Sequence, residues 1–375
     1  MILYIASFVI FCYVSASLFL RAHCPLWFKI AGCALVLLVS LKYEIYQWLG
    51  GAFFAPFLPR WFLLVMEAAF GALLVLCFLL IFKDLYLLGN YILARIGIPV
   101  PRHLPMGWIK GGLICIALAF GIYGTWSAVR VPDIRTITAR LPNLPPALHG
   151  MNIVQLTDLH VGPILKKDWV FEVVEEVNAI DPDIIVMTGD YIDGTVEEVL
   201  DELRPLADMR AKYGIFAVTG NHEYYWNAKE WSEAIRCLGI DLLNNEHRLI
   251  TVETDTLVIA GIPDAGAGRF GFEAPNIDKA LANAPEAVRI LLAHQPKNAK
   301  SWLEKADLML SGHTHGGIMF FLQPLIARFN GGFVNGQYTV GDKQLYVSPG
   351  TGIWNGFSAR IGVPPEITRI VLERG

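Results

Sequence analysis

The chain has 375 residues, 54% of them hydrophobic and 17% charged, with 30 Lys and Arg against 34 Asp and Glu for a net charge of −4. So apolar a composition excludes a single soluble domain, and the slight excess of acid excludes a nucleic-acid partner held by phosphate neutralisation. Five of the six cysteines precede residue 130 and only Cys237 follows, so the later part cannot hold an internal disulfide.

The apolar excess sits before residue 130. A helix needs about 20 mostly apolar residues to cross the hydrocarbon core. Four stretches suggest spans: 2–20, about 26–41, 61–82 and 108–129, the second being the shortest. Trp27, Trp48, Trp61, Trp108 and Trp126 stand near their ends, where amphipathic rings favour the membrane interface. Residues 1–130 are therefore expected to form an all-α transmembrane bundle of about four helices in the cell membrane, with the lipid bilayer as partner. The first run lacks a basic residue ahead of it and more spans follow, which argues against a cleaved leader. Glu67 falls inside the third stretch, where a carboxylate needs a partner; a functional role is one reading, and headgroups or a neighbouring helix are the expected partners. Four spans would put both chain ends on one side. Six basic residues (Arg21, Lys29, Lys83, Arg95, Arg102, Lys110) against five (Lys42, Arg60, Arg130, Arg135, Arg140) then favour an extracytoplasmic C-terminal domain.

The character changes at residues 131–150, "VPDIRTITARLPNLPPALHG", which read as a linker entering an exposed first strand. Beyond it, short apolar runs predict strands at 152–156, 183–188, 215–219, 256–262, 288–293, 307–310, 344–347 and 367–372. Amphipathic stretches predict helices at 167–180, 196–211, 228–238, 278–282 and 297–305. This alternation makes residues 131–375 an α/β domain with sheet covered by helices.

Chemistry follows the strands. After the first comes "TDLH" with Asp158 and His160, and after the second "GDYID" with Asp190 and Asp193. The third is followed by "GNHE" with Asn221, His222 and Glu223; later ones by "AHQP" with His294 and "GHTH" with His313 and His315. Ligands gather at the carboxyl ends of strands in open α/β sheets, so five strand ends, expected to be consecutive in space, should converge. Oxygen donors mixed with imidazoles suit Mn, Fe or Zn. Seven candidate ligands exceed the four of one closed tetrahedral site and fit two ions sharing a carboxylate, an arrangement suited to phosphoryl displacement.

In sequence order these blocks resemble the calcineurin-like metallophosphoesterase superfamily, with its D-x-H, G-D-x-x-D, G-N-H-[DE], H and G-H-x-H pattern. The resemblance covers about residues 131–375, and the tail from "GHTHGG" through "LYVSPGTG" to "PPEITRIVLE" further resembles the YkuE-like, often membrane-attached branch. It implies a four-layer α/β/β/α sandwich and two divalent metal ions, manganese favoured. Carried over residue by residue, it implies that Asp158, His160 and His315 hold the first metal, that Asn221, His294 and His313 hold the second, and that Asp190 bridges them. It further implies a metal-activated hydroxide as nucleophile, with His222 as the catalytic donor to the phosphate or leaving oxygen and Asp193 orienting it.

Glu223 is expected to hydrogen-bond behind the metals rather than bind one. His149 and His247 lie outside every block and are read as surface or structural. "GAGRFG" at 266–271 reads as a loop near the site mouth, and "SPGTG" at 348–352 resembles a family loop close to the metals. The apolar run "IMFFLQPLIARF" at 318–329 follows the last block. Either it packs in the core, or it forms an amphipathic lip whose Phe320, Phe321, Leu322 and Leu325 meet the acyl or prenyl chain of a substrate. The lip reading favours a lipid-linked phosphate or pyrophosphate, such as a nucleotide-linked acylated sugar, a polyprenyl phosphate or a phospholipid. Two alternatives stand beside it: cleavage of soluble phosphodiesters with the membrane half only an anchor, or a non-enzymatic membrane sensor.

Overall fold

The computed structural model describes residues 2–20, 22–101 and 105–375; Arg21 and Arg102, counted above for topology, lie outside them. The chain forms two units: Met1–Ser127 with Gly356–Ala359, and Ala128–Asn355 with Arg360–Gly375.

The first unit contains helices α1 (Ile2–Phe19), α2 (Leu26–Ser40), α3 (Lys42–Leu49), α4 (Arg60–Arg95) and α5 (Met106–Val129), with a small hairpin of β1 (Gly51–Ala52) and β2 (Ala55–Pro56). The expected four spans are not clearly present among the described residues. Among the described residues, α4 with 36 residues and α5 with 24 are long and apolar enough to cross a membrane. A third span arises if α2 and α3 are taken together, but they are bent by 63°. The first apolar helix counts as a shorter one, over Tyr4–Phe19. The physical reason is that hydropathy counts apolar residues without seeing where the backbone turns. The turn at Leu41 limits α2 to 15 residues, about 22 Å of rise. Conversely, α4 runs on past residue 82 to about 54 Å, until Gly97 (φ +83°) and Pro99 stop it. Glu67, inside α4, pairs with Lys42 of the neighbouring α3 at 2.7 Å, which is one of the two partners expected for it.

In the second unit, strands are β3 (Asp133–Leu141), β4 (Asn152–Leu156), β5 (Ile184–Met187), β6 (Ile215–Ala217), β7 (Asp241–Leu242), β8 (Glu246–Val252), β9 (Asp255–Gly261), β10 (Val288–Leu292), β11 (Leu308–Ser311), β12 (Gly336–Val340), β13 (Lys343–Val347) and β14 (Glu366–Arg374). Helices are α6 (Lys167–Ala179), α7 (Val196–Leu203), α8 (Asn221–Tyr225), α9 (Ala228–Cys237), α10 (Ile277–Ala280), α11 (Ala299–Trp302) and α12 (Gln323–Phe329). They build two mixed six-stranded sheets, ordered β3-β14-β4-β5-β6-β7 and β12-β13-β11-β10-β9-β8. Within them β4, β5 and β6 run parallel, as do β9, β10 and β11.

Period-two alternation explains how the sheets stack. Val288, Ile290 and Leu292 of β10 join Ile153, Ile184, Val186 and Ile370 of the other sheet in one buried core. The intervening Leu291, with Met309 and Leu345, packs instead with Ile277, Ala280, Ala299 and Leu303. On the other side, Val154, Leu156, Ile185 and Met187 are buried, and so is the apolar stripe of α6 (Trp169, Val170, Val173, Val174, Val177). Strands buried on both faces read as continuous apolar runs, which is why they are legible. Edge strands β8 and β12 were not foreseen: both are partly exposed and polar, and each is paired antiparallel to one neighbour.

Candidate active site

The chemistry-bearing loops leave the carboxyl ends of β4, β5, β6, β10 and β11. The five ends do not form one row, as expected of a single sheet. Three adjacent strands lie in one sheet and two in the other, so the cluster forms where the stacked sheets meet. Asp158, His160, Asp190, Asp193, His222, His294 and His315 are buried, while Asn221 and His313 are half-buried.

Three groups of donor atoms converge, one of them His160 with Asp193 and His222, and the other two gather the expected ligands. In the first of these two, His160 Nε2 faces His315 Nε2 at 3.1 Å, and Asp158 Oδ1 lies 3.5 Å from His315 Nε2. In the second, His294 Nε2 faces Asn221 Oδ1, His313 Nδ1 and Asp190 Oδ2, each at 3.2 Å. Asp190 Oδ2 is also 3.7 Å from His160 Nε2, which puts one carboxylate oxygen between the groups. His294 Nδ1 donates to the Thr188 carbonyl at 2.7 Å, leaving Nε2 with its lone pair toward the cluster. Lone pairs facing one another at these distances repel unless a proton or a metal cation lies between them, and this mix of oxygen and imidazole donors fits two divalent ions.

The electrostatics agree. Burial, reinforced by His294, pushes His313 down to about 4. Burial, with His160 and Arg360 nearby, also holds His315 well below the ordinary imidazole range; both rings are thus neutral lone-pair donors. Burial works against charging His294, yet the Asp190 carboxylate pulls its pKa well above the usual value, so a metal ion would have to displace a proton from its Nε2. For Asp190, burial raises the pKa but His294 and His222 outweigh it, and it stays ionised.

His222 is held differently. Its Nδ1 hydrogen-bonds Asp193 Oδ1, and Asp193 Oδ2 accepts from Asn355 Nδ2 at 2.7 Å. Burial would depress the ring, but the Asp190 and Asp193 carboxylates prevail and push it up to about 9. A protonated imidazole thus stands with Nε2 4.0 Å from Asp190 Oδ2, at the edge of the ligand groups.

Backbone strain marks the same loops. Asp158, His160, Asp190, His313 and His315 all have φ between +47° and +70°, a region costly for residues with a Cβ. Neighbouring glycines make the crowding possible. A Cβ on Gly220 would come 2.2 Å from Asp190 Oδ1, and one on Gly312 would come 2.2 Å from Asp158 Oδ2.

Supporting residues complete the site. The Glu223 carboxylate accepts from the main-chain N–H groups of Asp190 (3.1 Å), Tyr191 (2.8 Å) and Gly220 (2.6 Å), tying together the loops after β5 and β6. The 348–352 loop lies against the first strand end, with Gly352 N–H donating to the Asp158 carbonyl at 3.0 Å. In the 266–271 stretch, Phe270 packs on Tyr225, whose ring is 5.1 Å from that of His222. His149 Nδ1 accepts from Arg374 N–H, and His247 Nδ1 meets the Ala280 carbonyl; the site includes neither. Two contributors went unrecognised in the sequence. Asn355 orients Asp193, and fully buried Arg360 donates to the carbonyls of His315 (2.5 Å) and Gly352 (2.7 Å). Their only local signal is an isolated amide and an isolated guanidinium within the mostly apolar run "GIWNGFSARIG". Finally, 318–329 does not pack in the core: Phe320, Leu325 and Phe329 are exposed, Phe321 and Leu322 are half-buried, and within the run only Met319 is buried.

Residues 151–317 match the family model described as calcineurin-like phosphoesterase. A transmembrane protein with metallophosphoesterase domain from Danio rerio is 32% identical over 330 residues, spanning 84% of this chain and 75% of that one. Its counterpart from Bos taurus is 31% identical over 333 residues, with 84% and 74% covered. An uncharacterised metallophosphoesterase of Campylobacter jejuni is 35% identical over 266 residues, with 69% and 68% covered. The chain belongs to the calcineurin-like metallophosphoesterases. It is a metal-dependent phosphoesterase with a membrane anchor, and its fold implies a dinuclear divalent metal centre.

Proposed function

We propose that residues 131–375 hydrolyse a phosphoester or pyrophosphate bond of a lipid-linked substrate, while residues 1–130 hold them at the bilayer. The observation that carries this reading is the run 318–329, which starts three residues after His315 and leaves Phe320, Leu325 and Phe329 at 55%, 53% and 66% exposure. So much apolar surface beside a charged site is expected where a protein meets lipid. Phe320, Phe321, Leu322 and Leu325 would receive the acyl or prenyl chain.

Asp158, His160 and His315 form one ligand set and Asn221, His294 and His313 the other, with Asp190 shared. Two divalent ions bound there (Mn, Fe or Zn, with manganese favoured) would supply positive charge to the phosphate and a water of lowered pKa. His222 carries the proton to the leaving oxygen from Nε2. Asp193 fixes the ring through Nδ1 and favours its protonated form, and Asn355 fixes Asp193 in turn. Counted on the four spans expected from the sequence, the six-to-five balance of basic residues favours the extracytoplasmic side for the catalytic unit.

The test uses the full chain in detergent micelles with Mn²⁺, comparing each phosphorylated headgroup with and without its lipid tail, and Asp190→Asn as the inactive control. The tailed members should turn over at least about tenfold faster, the discrimination that a few buried methylenes supply. Equal turnover would sink the lipid reading in favour of soluble phosphodiesters.

A further inference from the structure

We infer that Glu67, on helix α4, is a positioning residue for the metal centre, acting through residues Gly356–Ala359. The inference rests on the phosphoesterase assignment and goes beyond it. Lys42 and Glu67 form an ion pair at 0% and 1% exposure within the N-terminal unit. Desolvating two charges brings little stability over an apolar pair of the same size, so the use of this pair lies in what else it binds. Glu67 Oε1 accepts from Lys42 Nζ (2.8 Å) and Tyr46 O–H (2.9 Å); Oε2 accepts from Lys42 Nζ (2.7 Å) and from the main-chain N–H of Ser358 (2.9 Å).

Ser358 is not held alone. The Phe357 ring packs edge-on against Phe70, with centroids 5.7 Å apart, and a Cβ on Gly71 would stand 3.3 Å from the Ala359 Cβ. Glu67, Phe70 and Gly71 are i, i+3 and i+4 of α4, one helix face that grips three successive residues. Lys42 Nζ reinforces the grip from 4.3 Å above the Phe70 ring.

The two residues that flank this segment belong to the catalytic unit. Asn355 donates to Asp193, the partner of His222, and Arg360 donates to the carbonyl of His315. Ser358 is three residues from the first and two from the second, so the point where α4 holds the segment lies within about 11 Å of chain from both.

Three full-chain variants in micelles test this. Lys42→Met/Glu67→Met removes both charges and the acceptor. Lys42→Met/Glu67→Gln removes the charges but keeps a carbonyl acceptor for Ser358. Leu80→Ala perturbs the buried face of α4 thirteen residues further on. The readouts are amide hydrogen exchange over 354–360, Mn²⁺ affinity, and kcat on a soluble chromogenic phosphodiester. The double Met variant should accelerate exchange at Ser358, weaken Mn²⁺ binding by about tenfold and lower kcat, the low end of what lost outer-sphere support costs. The Gln variant should restore all three to within about twofold, and Leu80→Ala should leave them unchanged. Should the double Met variant fail to fold, Ser358→Pro, which removes the donated N–H together with the hydroxyl, must give the same losses of Mn²⁺ affinity and kcat, and Ser358→Ala, which keeps the N–H, must not. Unaltered exchange at Ser358 would overturn the inference. So would fast exchange with wild-type Mn²⁺ affinity and kcat, or equal losses in Leu80→Ala. Exchange and Mn²⁺ binding are read without substrate, so they stand apart from any failure of the lipid reading.

Discussion

Adding one methyl group to Gly312 should disable the metal centre while leaving the fold intact. The new Cβ would lie 2.2 Å from both Asp158 Oδ2 and Thr157 Oγ1, and 2.9 Å from Thr157 Cγ2. Comfortable carbon contacts need over 3 Å, so the two oxygens must retreat by roughly 1 Å. They cannot retreat freely: Thr157 O–H donates to Asp158 Oδ2 at 2.8 Å, and His313 N–H donates to both carboxylate oxygens at 3.0 and 3.1 Å. Nor can Gly312 back away, because its own N–H is bonded to the His294 carbonyl at 2.9 Å. Overpacking of this kind costs about 1–3 kcal/mol, which moves the melting temperature by about 2–12 °C in a domain of this size. Catalysis should suffer more, since a ~1 Å displacement of a site group can lower the rate by about 10²-fold. The assay is Mn²⁺ titration, hydrolysis of a chromogenic phosphodiester and thermal unfolding of Gly312→Ala against the parent. Wild-type Mn²⁺ affinity with full turnover would refute the crowding argument.

Three other outcomes are expected. His222→Gln and Asp193→Asn should each lower kcat by about 10²–10⁴-fold, and the double variant should be little worse than His222→Gln; additive losses would show that the two act independently. Chelation should abolish turnover and Mn²⁺ restore it, with Mn²⁺ affinity falling as the pH is lowered because protons compete for the carboxylates and imidazoles; pH-independent binding measured calorimetrically would contradict this ligand set. Cys237 is exposed and is the sole cysteine after residue 130, so a membrane-impermeant maleimide should label it in intact cells and the Cys237→Ser variant should lose that signal. Labelling that requires lysis would place the catalytic unit inside.

Local pattern is enough to show which residue types end which strands. Runs buried on both faces announce β4, β5, β6, β10 and β11, and the Asp, Asn and His that follow them are adjacent in the chain to those runs. It also showed an apolar first third and a lone carboxylate within it. Tertiary structure decided what depends on distant pairs. The strand ends belong to two stacked sheets because alternate side chains of β10 and of β4–β5 share a core, and pairing between sheets leaves no periodic trace. Asn355 reaches Asp193 across 162 positions and Arg360 reaches His315 across 45, with no spacing rule to reveal either. Glu67 found its cation 25 residues earlier, on a helix that a hydropathy window does not separate from the run before it. Local pattern reports what a residue's neighbours in the chain require; a buried polar group is satisfied by whatever the fold brings to it, and only the folded chain says what that is.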